Sequence, residues 1–213
     1  MQTIELKTRN QANCKEWFWE RSIRITASKV GEICHFTDVR DKEKYAKDLV
    51  SAKPAFSTEA MQWEMKHEAT AVKEYENISH NTVQKCGLHV CENYPFLAAS
   101  PDGLVAAVTV LEVKCPYSIR NEKITPENYP HIELTSDNTL SLKRRSNYYY
   151  QCQLQMYATK REYCEFFIWT TCDHVLIQFG IDVEVVQEII QKSQKFFNDY
   201  VVPQLQKKWF PLF

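Results

Sequence analysis

The chain has 213 residues, 44% apolar and 25% charged, which is the make-up of one globular domain. Its 4 glycines stand at positions 31, 87, 103 and 180, too dispersed for a Walker loop or a dinucleotide-binding turn, where clustered glycines let backbone N–H groups approach phosphate. With 26 Lys and Arg against 27 Asp and Glu the net charge is -1, so any attraction for a polyanion must be local.

In chain order, a helix is expected over Asn13 to Arg24, carrying Trp17, Phe18 and Trp19, and a short one through Cys34 capped by Thr26 or Ser28. A polar helix follows over Asp41 to Ser51. Ser57 or Thr58 caps a longer run to about Ile78, in which Met61, Met65, Glu68, Val72 and Tyr75 recur at helical spacing. Glu68 thus falls within an apolar stripe and needs a polar partner. Strands are expected at Thr82 to Cys91, Phe96 to Ala99, Leu104 to Val108 and Val110 to Cys115. Residues 117–146 read as a long irregular loop. Asn147 caps a helix to about Lys160, strands follow at Glu165 to Thr171 and His174 to Ile181, and a closing helix spans 182–201.

The expected fold is α/β, a central mixed β-sheet flanked by helices. It is one domain over 1–213: a helical part at 1–80, a sheet at 82–181 and the closing helix at 182–201. No apolar leader follows Met1 and no run of about 18 apolar residues occurs, so the expectation is an intracellular protein, cytoplasmic or nuclear, without membrane attachment. The 8 Cys include no C-x-x-C pair and read as reduced, mostly buried small hydrophobes.

Chemistry concentrates in Ser100-Pro101-Asp102-Gly103-Leu104 and Leu111-Glu112-Val113-Lys114-Cys115-Pro116. Alternation puts Glu112 and Lys114 on one face of a strand and Leu111, Val113 and Cys115 on the other. A short hairpin would return Glu112 beside Asp102. A hard divalent cation most naturally relieves the repulsion of two such carboxylates, and Mg²⁺ is typically held by carboxylates, substrate phosphate and water. Lys114 could then orient a water or balance charge on a phosphate undergoing attack. A solvent-facing salt bridge is the plain alternative, but it leaves Ser-Pro-Asp-Gly unexplained. Lys143, Arg144, Arg145, Lys160 and Arg161 form a stretch without acids, interleaved with Tyr148, Tyr149, Tyr150 and Tyr157, that could contact phosphates and unpaired bases. Tyr150 and Tyr157 are assigned to the core.

Asp, about ten residues, then Glu-x-Lys resembles the active-site motif of the restriction-endonuclease-like nuclease superfamily. The flanking residues are similar to those of the phage lambda exonuclease and YqaJ-type viral recombinase family. So are Arg21 with Ile25-Thr26-Ala27-Ser28, Met61-Gln62-Trp63 followed by Glu68, and Tyr150-Gln151-Cys152-Gln153-Leu154-Gln155-Met156. The resemblance implies a restriction-endonuclease-like core. It also implies a metal-dependent 5′ to 3′ deoxyribonuclease, a DNA exonuclease degrading one strand of linear duplex from a 5′-phosphorylated end in recombination or repair. Its site would comprise Glu68, Asp102, Glu112 and the main-chain carbonyl of Val113 as ligands of two Mg²⁺, with Mn²⁺ as a substitute. Lys114 would be the catalytic lysine, and Gln153 rather than Gln151 the supporting glutamine. Arg21, Ser28 and Ser100 match positions that grip a 5′ phosphate, and Lys143, Arg144 and Arg145 would contact DNA. The implied partners are double-stranded DNA ends, a homo-oligomeric ring and a single-strand annealing protein. Glu64 stands where the family usually has Gly, adding a charge near the site. The rival expectations are a structure-specific endonuclease and a non-catalytic DNA-end-binding recombination factor.

Overall fold

The computed structural model describes residues 2–51 and 58–209. Helices α1 (Gln2–Lys7) and α2 (Lys15–Ser22), strand β1 (Ile25–Thr26), and helices α3 (Ala27–Cys34), α4 (Lys42–Ser51) and α5 (Glu59–Ser79) make up the first part. Then come β2 (Val83–Gln84), β3 (His89–Val90), β4 (Leu97–Ala99), β5 (Gly103–Val105), β6 (Thr109–Lys114), β7 (Ile132–Leu134) and β8 (Leu140–Leu142). Helix α6 (Asn147–Thr159), strands β9 (Tyr163–Trp169) and β10 (His174–Gly180), and helices α7 (Val183–Phe196) and α8 (Val202–Trp209) complete the chain.

The arrangement is the expected mixed α/β one, but the sheet is divided. Five strands run in the order β10-β9-β6-β5-β2, antiparallel except for the parallel β6–β9 pair, and a separate three-stranded sheet runs β1-β4-β3. The division falls at Ser100 and Pro101, between β4 and β5, where proline has no N–H to extend a ladder. The strand expected over Thr82 to Cys91 is split likewise, with β2 in one sheet and β3 in the other. Its backbone between them is satisfied by the N-terminal segment: Gly87 N–H donates to Glu5 Oε1 at 3.1 Å, Leu88 N–H to Thr8 Oγ1 at 2.8 Å, and Gln11 Nε2 donates to the Cys86 carbonyl at 3.0 Å. Helix α1, absent from the sequence reading, supplies Glu5.

Other boundaries move for local reasons. Thr58 caps α5, its hydroxyl accepting from Met61 N–H at 3.2 Å, while Ser57 lies outside the described residues. Ser146, not Asn147, caps α6, accepting from Tyr149 N–H at 3.1 Å. The supposed loop 117–146 holds a short 3₁₀ turn and the antiparallel β7–β8 hairpin, which seats Ile132 and Leu142 in the core. The closing helix continues beyond Val201: α7 passes through five π-helical residues, Phe197–Val201, into α8.

Helix α6 covers one face of the five-stranded sheet, packing Cys152 and Met156 on Val110, Phe166 and Ile168. Helix α5 covers the other with Ala71 and Tyr75 on Leu111, Val113 and Phe167. Its buried stripe is therefore Ala71 and Tyr75, with Trp63 and Val72 partly covered, whereas Met61 and Met65 are 49% and 66% exposed. Helix α3 crosses α6 so closely that a Cβ on Gly31 would lie 2.6 Å from Cα of Asn147, which fixes a glycine there.

Candidate active site

Strand β6 carries the chemistry because it is central. It pairs with β5 on one side, Gly103 opposite Leu111, and with β9 on the other, Glu112 opposite Phe166. The β5–β6 hairpin turns through Ala106 at a positive φ of 46° and brings the β5 end back, so Asp102 Oδ2 accepts from Val113 N–H at 2.7 Å. A Cβ on Gly103 would lie 2.1 Å from Val83 Cγ1, so glycine next to Asp102 lets β2 close on this hairpin.

Glu112 and Lys114 share a face of β6, as alternation requires, but it is not a solvent face. Glu112 is 1% exposed beneath α6. A carboxylate so buried demands donors. It has three: Gln151 Nε2 to Oε1 at 2.5 Å, Gln155 Nε2 to Oε2 at 2.5 Å, and Lys114 Nζ to Oε1 at 2.6 Å. Gln151 and Gln155 are one turn apart on α6 and so point together. Gln153 faces away from them. Its amide donates to the Gly180 carbonyl at 3.1 Å and accepts from Asp182 N–H at 2.7 Å, tying α6 to the start of α7. The expectation that Gln153 supports the site is corrected to Gln151 and Gln155: a helix turns about 100° per residue, so positions two apart cannot share a face.

Lys114 also reaches Glu64 Oε1 at 3.3 Å, and its ammonium lies 5.3 Å from the centre of the Tyr148 ring. Burial alone would lower its pKa, but Glu112, Glu64 and Asp102 outweigh it and hold the ammonium well above the ordinary lysine value. Burial and then the Glu112 charge push the Asp102 carboxyl well above the ordinary value. The same two causes, in the same order, raise Glu68, which lies on α5 and keeps contact with solvent.

These repelling oxygen donors fit a hard divalent cation such as Mg²⁺ or Mn²⁺ and do not suit a soft thiolate-loving metal. Among the described residues no three His, Cys, Asp or Glu side chains converge into a ready cation site.

A second cluster joins the first through the Ser100–Asp102 segment. Trp17 on α2 donates from its indole N–H to Ser100 Oγ at 2.9 Å, and the Arg21 guanidinium stacks 4.1 Å above the same indole. Arg21 donates to Ser28 Oγ at 3.3 Å, and Ser28 Oγ lies 3.3 Å from Thr26 Oγ1. Arg21, Ser28 and Ser100 thus come together around Trp17, which the sequence reading places on its first helix without a role. Its signal was the one-turn spacing to Arg21. No acidic side chain pairs with Arg21 among the described residues, and burial pushes its pKa down to about 10. A partly buried, unpaired guanidinium flanked by hydroxyls is suited to an oxyanion.

The basic strip is less free than its sequence implies. Arg144 is held by Asp182 and Glu184, both at 2.8 Å, at the start of α7, where carboxylates gather because of the N-terminal dipole. Lys160 pairs with Glu92, and Arg161 donates to the carbonyls of Val105, Ala106 and Thr109. Arg145 is exposed and Lys143 partly so. Tyr150 is buried as expected, while Tyr157 is only partly covered.

An acidic and lysine-bearing central strand under a glutamine helix, within helix-flanked sheets, defines a protein with the nuclease fold of alkaline exonucleases. Residues 16–162 match the model of the YqaJ-like viral recombinase domain, and the chain belongs to that family. Among solved structures, the alkaline exonuclease LHK-Exo from Laribacter hongkongensis is similar at 24% identity and a TM-score of 0.72, over 91% of this chain and 96% of that one. The complex of LHK-Exo with dAMP gives 25% and 0.73, over 91% and 97% of the two chains. A phage-related exonuclease from Haemophilus somnus 129PT shares the fold at 12% identity and a TM-score of 0.58, over 85% of this chain and 96% of that one. No curated protein matches. No helix among the described residues is long and apolar enough to cross a membrane.

Proposed function

We propose that the protein is a metal-dependent DNA exonuclease that hydrolyses one strand of linear duplex DNA from a 5′-phosphorylated end, in recombination or repair. The observation that carries this reading is the covalent proximity of the two clusters. Ser100, bonded to Trp17 beneath Arg21, stands two residues before Asp102, which is bonded to Val113 between Glu112 and Lys114. A terminal phosphate held by the first cluster would be kept at a set distance from the second, turning binding into positioning. The YqaJ family membership and the similarity to LHK-Exo, a protein solved with dAMP, support a nuclease acting on DNA.

In this mechanism Glu68, Asp102, Glu112 and the Val113 carbonyl would hold Mg²⁺, two ions in all, with Mn²⁺ as a substitute. Bound there, the metal would polarise the scissile phosphate and lower the pKa of the attacking water. Lys114, kept as an ammonium by its acidic neighbours, balances negative charge that builds on the phosphate. Gln151 and Gln155 fix both oxygens of Glu112 so that it does not reorganise during the reaction. Arg21, Ser28 and Ser100 bind the terminal phosphate, and Lys143 and Arg145 contact the duplex further along. Duplex ends are the partner this chemistry requires. A homo-oligomeric ring and a single-strand annealing protein belong to the same reading.

The test is digestion of end-labelled linear duplex with Mg²⁺ or with EDTA, beside a closed circular plasmid. Mononucleotide release from the 5′ end of the linear substrate alone, abolished by EDTA, is expected. Nicking of the circle would replace the reading with an endonuclease, and binding without cleavage would replace it with an end-binding factor.

A further inference from the structure

The β5–β6 hairpin places Asp102, yet its turn holds no residue that would close it unaided. Val105 lies opposite Thr109, and Ala106-Ala107-Val108 between them include none of the Gly, Asn or Asp residues that favour hairpin turns. Ala106 nevertheless has a φ of 46°, in the left-handed region that a Cβ disfavours. The turn is closed from outside. Arg161 Nη1 donates to the carbonyls of Val105 at 3.0 Å, Ala106 at 3.0 Å and Thr109 at 2.8 Å, so both strands and the left-handed residue converge on one nitrogen. The next two residues complete the grip: the N–H groups of Glu162 and Tyr163 donate to the Val108 carbonyl at 2.9 and 3.0 Å.

This clamp is continuous with α6. Lys160 ends the helix at a left-handed φ of 56°, and Arg161 N–H donates to the Met156 carbonyl at 2.9 Å. Helix α6 also carries Gln151 and Gln155, which hold both oxygens of Glu112. One stretch of chain therefore fixes Glu112 directly and also fixes the turn of the hairpin whose other end presents Asp102 to Val113 N–H. A turn sets the register of its hairpin, and a slip of one residue would carry Asp102 off Val113 and reverse every face of β5. We propose that Arg161 is a positioning residue: by closing the β5–β6 turn it sets where Asp102 stands relative to Glu112, and so the affinity of the pair for a divalent cation. This rests on the assignment of Asp102 and Glu112 to the metal. It also takes Arg161 out of DNA contact, where its place in a basic stretch of sequence would put it.

Three measurements on the full chain test it: exchange of the Val113 amide hydrogen without cation, the Mg²⁺ concentration giving half-maximal cleavage, and KM for linear duplex. Arg161→Met keeps an apolar chain and removes every donor. It should speed Val113 exchange about tenfold more than exchange of the β9 amides that face β10. It should also raise the Mg²⁺ midpoint about tenfold and leave KM for DNA within about twofold, the size of effect typical when a group that orients a metal ligand is lost. Arg161→Lys again offers three N–H on one nitrogen and should recover most of both effects. So should Ala106→Gly placed in the Arg161→Met chain, because glycine takes the left-handed turn without a clamp. Arg161→Gln, which keeps two N–H, is the milder variant should Arg161→Met fail to fold, and its shifts should have the same sign. Slower cutting with an unchanged Mg²⁺ midpoint and a uniform rise in exchange would make Arg161 a general stabiliser and overturn the proposal. A raised KM for DNA, with the other two readouts unchanged, would make it a DNA contact and also overturn it. Full cleavage by Asp102→Asn would remove the metal assignment and this proposal with it. Loss of cleavage in Asp102→Asn beside a silent Arg161→Met would overturn the proposal alone.

Discussion

Gln155 donates to Oε2 of Glu112 at 2.5 Å, and both residues are almost fully removed from solvent, at 0% and 1% exposure. A buried carboxylate that loses a donor bears an unrelieved desolvation cost of about 1 to 3 kcal/mol. Gln155→Leu should therefore lower the melting temperature by roughly 2 to 12 °C, taking about 2 to 4 °C per kcal/mol for a chain of this size. Gln151→Leu should weaken cleavage through the same carboxylate. Gln153→Leu should destabilise the α6–α7 junction and leave kcat of the folded fraction unchanged, because its bonds go to Gly180 and Asp182. Thermal melts beside steady-state kinetics check all three. A larger kcat loss in Gln153→Leu than in Gln151→Leu would reverse the assignment.

Asp102 sits among like charges that raise its carboxyl. Asp102→Asn should abolish cleavage and, without divalent cation, leave the protein as stable as the wild type or more so, because it removes repulsion. Lys114→Gln keeps a polar side chain, one atom shorter, and loses the charge, so kcat should fall by about two orders of magnitude or more with DNA affinity within a few-fold. Single-turnover rates and fluorescence titration separate the two effects.

Trp17 both donates to Ser100 and carries Arg21 on its ring. Trp17→Phe keeps a ring for the stack and deletes the donor, leaving Ser100 free to turn. The preference for 5′-phosphorylated over 5′-hydroxyl ends should shrink by about tenfold, the worth of one hydrogen bond of roughly 1.4 kcal/mol. Competition between the two ends in one digest measures it.

Asp182 caps α7, accepting from Val185 N–H at 3.2 Å, and holds Arg144 at 2.8 Å. The Arg144 hydrogen bond lowers its carboxyl below the ordinary 3.8 despite partial burial. A depressed carboxyl adds stability that is present above the unfolded value and lost as pH falls through the folded one. Asp182→Ala should then cost about 1 kcal/mol between pH 5 and 7, a difference that shrinks below about pH 4. Denaturant melts across that range check the sign. Arg144→Ala should leave DNA affinity nearly unchanged, while Arg145→Ala, whose side chain is exposed, should reduce the salt slope of binding by about one.

The Asp, Glu and Lys of the candidate site stood out in the sequence because their chemistry is costly anywhere else. A Glu and a Lys two apart in an apolar strand, with an Asp one hairpin away, demand partners, and periodicity placed them on one face of β6. The mixed α/β class and most elements followed from the same patterns. Which glutamine faces Glu112 was not legible. Residues 151, 153 and 155 are identical in type, and their faces depend on how α6 rolls on the sheet, which Gly31 and the packing of Cys152 and Met156 decide. The separation of β2 from β3 depends on Glu5, Thr8 and Gln11 reaching across more than seventy residues to satisfy that backbone. Arg144 reads as a free cation until α7 brings Asp182 and Glu184 to it. Sequence by itself determined the chemical inventory and its local period, because those depend on residue type and spacing. Tertiary structure alone decided which polar groups spend their bonds on each other and which remain open to a ligand, because that depends on contacts between segments distant in the chain.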